Sequence, residues 1–134
     1  MDYLDSAENI TANQLHGFFV GWPDPPTPDV HLRLLRNSDV VVLAQDTATG
    51  QMVGFITAIT DGVLAAYIPF LEVLPAYQHQ GIGQTLVRRM LEHLQDLYMI
   101  DLLCDADVQA FYEQFEMYPA VGMCVRNFAR QSGQ

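Results

Sequence analysis

Two stretches of this 134-residue sequence hold residues whose types and spacing suit chemistry. The first is Gln78-His79-Gln80-Gly81-Ile82-Gly83. It stands where a strand-like run ending Val73-Leu74-Pro75 hands over to a helical pattern. A helix start exposes about four unpaired backbone N–H groups. Aligned peptide dipoles give that end positive character, and phosphates bind there readily. An anion reaches the backbone closely only where side chains are missing, which Gly81 and Gly83 arrange. The second is Glu72, inside the otherwise apolar run Phe70-Leu71-Glu72-Val73-Leu74. Strand alternation sets it on one face with Phe70 and Leu74, opposite Leu71 and Val73. A carboxylate there is costly unless it is paired or functional. A general base is one reading; a structural hydrogen bond or an exposed strand face is the other.

The elements that must position these groups follow from periodicity. Residues 81–97 read as an amphipathic helix, with Leu86, Val87, Met90, Leu91 and Leu94 on one stripe. Residues 39–46, 51–60 and 64–74 are rich in β-branched and apolar residues and read as three antiparallel strands. Thr47-Ala48-Thr49-Gly50 and Asp61-Gly62 mark the turns between them. Pro69 cannot donate to a ladder, so the third strand is expected to be irregular or to part from a neighbour. Upstream, residues 10–20 suggest a short helix capped by Thr11 or Asn13. Four prolines make residues 21–29 a loop. Residues 29–37 then read as a helix with Leu32, Leu34 and Leu35 inward and Asp29 as cap. Downstream come a strand over 97–104, a helix over 105–117 with Asp105 as N-cap, and a last strand over 120–129. The order is α+β, with a βαβ crossover in the second half.

Composition narrows the class. The length suits one domain, 1–134, and half the residues are apolar. No apolar run reaches the roughly 18 residues of a membrane span. The start, MDYLDSAENI, lacks the basic and apolar parts of a signal peptide. A cytoplasmic protein is expected. Cys104 and Cys124 are expected to be reduced and buried. The four histidines show no metal-ligand spacing, so no metal is expected. Sixteen acids face six bases, all arginine, for a net charge of −10. That balance argues against nucleic acid and suits a cationic partner such as an amine.

With Val73-Leu74-Pro75 before it and an apolar helix stripe after it, Gln78-x-x-Gly81-x-Gly83 resembles the pyrophosphate loop of the GNAT superfamily. These are acyl-CoA-dependent N-acyltransferases, whose loop reads R/Q-x-x-G-x-G/A. About thirty residues on, Phe111-Tyr112-Glu113-Gln114-Phe115-Glu116-Met117 is similar to the family's FYEKLGF, with Glu116 in place of the glycine. That glycine usually takes a left-handed turn. The element order follows the family over nearly the whole chain, least well over the first 35 residues.

The resemblance implies an α+β, three-layer fold. Its central sheet is mixed, mostly antiparallel and flanked by helices, with a splayed strand pair holding the cofactor. It implies acetyl-CoA as cosubstrate, with amides from Gln78, His79, Gln80, Gly81, Ile82 and Gly83 around the pyrophosphate. Main-chain groups of Leu71 and Val73 would pair with the pantetheine arm. Asp105 falls where the family often has a cofactor-touching asparagine. Tyr112 matches the tyrosine that often protonates the leaving thiolate, a packed tyrosine being the alternative. Glu72 is the candidate base. The implied reaction is direct attack by a primary amine, of a small molecule or a protein, through a tetrahedral intermediate. A homodimer through the last strands and no membrane partner are further expectations. Arg88 and Arg89 could reach a CoA phosphate, and Tyr67 and Trp22 could border the acceptor, although solvated charges and packed rings account for them as well. A non-catalytic acyl-CoA-binding module of the same fold is the rival reading, and a plain interaction domain a third.

Overall fold

The computed structural model describes residues 1–134. Its strands are β1 (Asp2–Leu4), β2 (Val40–Gln45), β3 (Met52–Thr60), β4 (Ala65–Val73) and β5 (Met99–Asp101). Its α-helices are α1 (Pro28–Asn37), α2 (Ile82–His93) and α3 (Gln109–Glu113). The sheet runs β1-β2-β3-β4-β5. The first three pairings are antiparallel and β4–β5 is parallel. The expected mixed, mostly antiparallel sheet flanked by helices is what forms.

β2 and β3 are covered on both faces. Val42, Leu43, Ala44, Met52, Val53 and Ile56 are each fully buried, the near-continuous apolar reading of a strand packed on two sides. On one face Leu86, Val87, Met90 and Leu94 of the α2 region pack onto the sheet. Gly54 lets α2 come close, because a Cβ there would stand 3.0 Å from Leu86 Cδ1. On the other face Ile10, Leu15, Phe18, Phe19 and Leu35 cover Leu43 and Phe55. Each large side chain so buried stabilises by roughly 1.5–3 kcal/mol.

Pro69 acts as expected. Thr57 pairs with Phe70 and Ile59 with Tyr67, so Ile68 and Pro69 together oppose Ala58. This is a β-bulge, the arrangement that tolerates a residue without an N–H. β5 pairs with β4 only at Ala65, Ala66 and Tyr67. Beyond the bulge the two strands part.

Several expectations need correction. Residues 10–20 hold only a 3₁₀ turn, Ala12–Gln14, before which the Thr11 N–H donates to Gln14 Oε1 at 2.9 Å. Gly17 and Phe19, both with positive φ, break any longer helix. α1 is capped by Thr27 rather than Asp29; Leu32, Leu34 and Leu35 face the core as expected, Leu35 fully buried and the other two half-buried, and Val30 and His31 are buried with them. The β5 strand is three residues long, not eight. Residues 117–127 form neither helix nor strand and join no sheet, so the expected last strand is absent. Cys104 and Cys124 are free but exposed, because they stand on those two unpaired stretches.

His31 is buried among Phe18, Phe19 and Phe55, with ring centroids 5.2, 4.9 and 4.4 Å away. Neither ring nitrogen has a hydrogen-bond partner. Burial lowers its pKa to about 4, so the neutral ring is the form that folds. The unfolded chain therefore binds the proton more readily. This contribution is complete above pH ~6.5 and is lost as pH falls towards 4, amounting to roughly 3 kcal/mol. Calorimetry should show a Tm that drops between pH 7 and pH 5. His31→Leu should flatten that drop, and an equally steep drop in the variant would show that other groups cause it.

Candidate active site

The backbone after β4 is built to leave donors free. A 3₁₀ turn, Pro75–Tyr77, ends the strand, and the Gln78 N–H is used by the Pro75 carbonyl at 3.4 Å. The N–H groups of His79, Gln80, Gly81, Ile82, Gly83 and Gln84 then donate to no acceptor in the chain. The first helical bond runs from Thr85 N–H to Gly81 O at 3.1 Å. His79 (φ 64) and Gly81 (φ 83) both adopt left-handed conformations, which gather successive N–H groups into an anion-binding concavity. A Cβ at Gly81 would meet nothing within 4 Å. Its glycine is there for the backbone angle, and the space in front of it is open. Gly83 plays another part: a Cβ there would touch Phe111 at 3.5 Å. The glycine turn and the Phe111-Tyr112 block thus meet in space.

Gln78 serves the turn by its side chain, donating from Nε2 to the Val73 carbonyl at 3.0 Å. The Tyr77 hydroxyl donates to Asp46 Oδ2 at 2.7 Å. That bond ties the turn to the β2–β3 loop, holds Asp46 below the usual carboxylate range and pushes the Tyr77 phenol up.

The neighbouring strand edge is also open. Leu74 N–H donates to Val53 O at 2.8 Å. By alternation, the main-chain groups of Glu72 and Phe70 also point towards β3, and those of Leu71 and Val73 point away from it. No strand receives them, since β5 has already departed.

Glu72 lies on the face opposite α2, as alternation predicts. Its Oε1 accepts from Phe19 N–H at 2.8 Å and its Oε2 from Val20 N–H at 3.2 Å. The carboxylate pins the strained Phe19 turn against β4. Each oxygen keeps a further lone pair. Around it stand Phe19, Trp22 and Phe70, with Phe19–Trp22 centroids 4.9 Å apart and Trp22–Phe70 6.3 Å. Tyr112 lies on the α2 face, packed against that core and edge-to-face with Phe111 at 5.0 Å between ring centroids. Its hydroxyl makes no hydrogen bond within the chain, and burial, helped by Cys104, raises its pKa to about 12. It is a protonated phenol with a free O–H.

The sequence model of the Acetyltransferase (GNAT) family matches residues 7–117. The chain belongs to the GNAT acetyltransferase family. An uncharacterized N-acetyltransferase, ycf52, of Pyropia yezoensis is 29% identical over 117 residues, covering 84% of this chain and 67% of that protein. A putative acetyltransferase from Deinococcus radiodurans R1 superposes with a TM-score of 0.94 at 45% identity, covering 98% of this chain and 91% of the other. A GNAT family protein, SP0256, from Streptococcus pneumoniae TIGR4 gives 0.75 at 27%, covering 94% and 97%. Acetyl transfer is the activity of this family, and its members generally use acetyl-CoA.

Within that fold most of the sequence-derived residues come together and a few stand aside. Asp105 is exposed before the Ala106–Val108 turn, where its carbonyl accepts from Val108 N–H and its side chain caps nothing. Arg88 stacks over Phe115 at 5.8 Å, and Arg89 over Tyr3 of β1 at 4.9 Å, so the two guanidinium groups diverge. Glu116 takes the left-handed position of the family glycine, at φ 66. Tyr77, Asp46, Phe19 and Phe70 escape sequence reading as site residues. Only the last has a signal, its alternation with Glu72. No helix is long and apolar enough to cross a membrane.

Gly81→Val tests the turn. The change strains a left-handed residue by ~1–2 kcal/mol without a clash. Calorimetry should show acetyl-CoA binding weakened about tenfold or more, with the fold retained by circular dichroism. Unchanged affinity would remove this turn from the cofactor site.

Proposed function

We propose that this chain is an N-acetyltransferase that moves an acetyl group from acetyl-CoA directly to a primary amine. The observation that carries the reading is the run of free N–H groups from His79 to Gln84. It lies beside the unpaired edge of β4 at Leu71 and Val73. The first suits a pyrophosphate and the second an amide-bearing pantetheine arm laid down like a strand.

Glu72 stands on the face of β4 away from α2 and Tyr112 packs on the α2 side, which suits a base for the amine and an acid for the thiol. The incoming ammonium loses a proton to Glu72, directly or through water. The neutral nitrogen attacks the thioester carbon and forms a tetrahedral oxyanion. The C–S bond then breaks, the sulfur takes the Tyr112 proton, and the second proton that the nitrogen must lose to become an amide passes through water to restore the phenol. The raised pKa keeps that phenol protonated across the physiological range. The aromatic wall of Phe19, Trp22 and Phe70 around Glu72, with a net charge of −10, favours a cationic acceptor.

Free-thiol release from acetyl-CoA with a panel of amines tests the activity. Tyr112→Phe should lower kcat by roughly 10²-fold with little change in acetyl-CoA affinity. Glu72→Gln should lower kcat with little change in acetyl-CoA affinity. A lowered Tm with kcat unchanged would make Glu72 an anchor of the Phe19 turn only. Cofactor binding without thiol release, for every amine, would make the chain a non-catalytic acyl-CoA-binding module.

A further inference from the structure

Trp22 stands on the loop of residues 21–27, where Pro23, Pro25 and Pro26 carry no N–H. Prolines keep such a stretch out of helices and ladders, so its path is set by what holds it from outside. Upstream the hold is Glu72, whose oxygens accept from the N–H groups of Phe19 and Val20 at 2.8 and 3.2 Å. Trp22 N–H then donates to Phe19 O at 3.1 Å. Downstream, residues 23–26 make one hydrogen bond between them. It runs from Asp24 N–H to Gln131 Oε1 at 2.8 Å, across 107 positions of sequence.

Gln131 is itself anchored. It follows the 3₁₀ turn Phe128–Arg130, where its N–H donates to Phe128 O at 3.3 Å. Two residues on, Gly133 (φ 77) lies so close to α1 that a Cβ there would stand 2.9 Å from Val30 Cγ1. The Gly133 carbonyl accepts from Arg33 Nη2 at 3.2 Å. Residues 117–127, which lead into this turn, donate no main-chain hydrogen bond to any acceptor in the chain. The turn is therefore fixed by α1 rather than by the chain before it. α1 in turn sets Leu35 into the core that Phe19 and Phe55 share. A line of support runs from that core through α1 and the turn to Asp24, two residues from Trp22.

The two holds bracket Trp22. Its ring lies 4.9 Å from that of Phe19 and 6.3 Å from that of Phe70 between centroids, and 38% of the residue stays open to solvent. We propose that Gln131 is a positioning residue for the acceptor: its amide oxygen fixes the loop at Asp24 and so keeps Trp22 in the wall with Phe70. The inference rests on the reading of that wall as the place of the incoming ammonium. An aromatic ring attracts a cation over its face, so the ring's orientation matters. Without the anchor the loop samples other poses, the competent wall is present for a smaller fraction of the time, and amine affinity falls by that fraction. The glycine turn and the β4 edge are untouched by the change.

Trp22 is the single tryptophan of the chain, so intrinsic emission of the full protein reports this loop without any substrate. Gln131→Met keeps the length of the side chain but has no amide oxygen. It should shift Trp22 emission to the red and increase its quenching by acrylamide. Gln131→Glu still accepts a hydrogen bond and should restore both wild-type values in ~0.15 M salt, where repulsion from the Asp24 side chain is screened. Titration with n-butylammonium, followed at Trp22, should give a Kd raised about two- to tenfold in Gln131→Met, the range of one lost hydrogen bond. The Kd should return in Gln131→Glu, and acetyl-CoA affinity by calorimetry should be unchanged in both variants. Equal quenching in wild type and Gln131→Met overturns the proposal. So does raised quenching with n-butylammonium affinity unmoved, or with acetyl-CoA affinity falling in step. A wild type with no saturable n-butylammonium response, in which Gln131→Met still raises quenching, overturns the acceptor reading and leaves the hold of Gln131 on Trp22 standing.

Discussion

Backbone N–H and C=O groups inside a sheet must find partners, and in the middle of this one they do not. β4 is paired on both sides as far as Tyr67. Then Ile68 and Pro69 bulge against Ala58, and β5 leaves. The main-chain groups of Leu71 and the Val73 N–H face an empty lane, the Val73 carbonyl being held by the Gln78 amide. A few residues on, the turn before α2 adds a run of free N–H groups. The proposed acetyl-CoA site rests on the lane and the turn together. Every other part of the structure either opens this gap or keeps it open.

The supports are local and specific. Gly54 lets α2 press against β3, so the helix start sits over the end of β4. The Gln78 amide holds the Val73 carbonyl, and the Tyr77 hydroxyl holds Asp46. Two left-handed residues, His79 and Gly81, turn the N–H groups outwards. On the far face the Glu72 carboxylate fastens the Phe19–Val20 turn to the strand. It thereby holds Phe19 beside Trp22 and Phe70. Glu72 so has a structural duty, while each of its oxygens keeps a further lone pair.

The glycine turn, the Leu86–Leu94 stripe, the Glu72 alternation and the irregularity at Pro69 were all legible in the residue order. Each rests on a period or a stereochemical rule that acts within a few residues. Residues 10–20 were not legible. Their apolar side chains suit a helix, but Phe18 and Phe19 are used to cover Phe55 and His31, and the positive φ at Phe19 is held from outside by Glu72. The inward leucines of α1 were legible, but the burial of His31 beside them was not, since it depends on the aromatic rings that meet it there. Residues 120–129 show the opposite failure. They alternate like a strand, but the expected last strand does not form, since nothing in the chain pairs with them.

The sequence by itself determined the family, the three central strands with the helix that follows them, and the turn with free N–H groups, because these depend on short-range spacing. The tertiary structure alone decided which donors are free. Gln78 N–H is consumed by Pro75 while Gln84 N–H is left open, a shift of the cradle that no spacing reveals. It alone brought Glu72 to Phe19, Tyr77 to Asp46 and Gly83 to Phe111. Whether a polar group is spent or available depends on what stands across from it. What stands across is set by contacts between residues tens of positions apart, where local propensity carries no information.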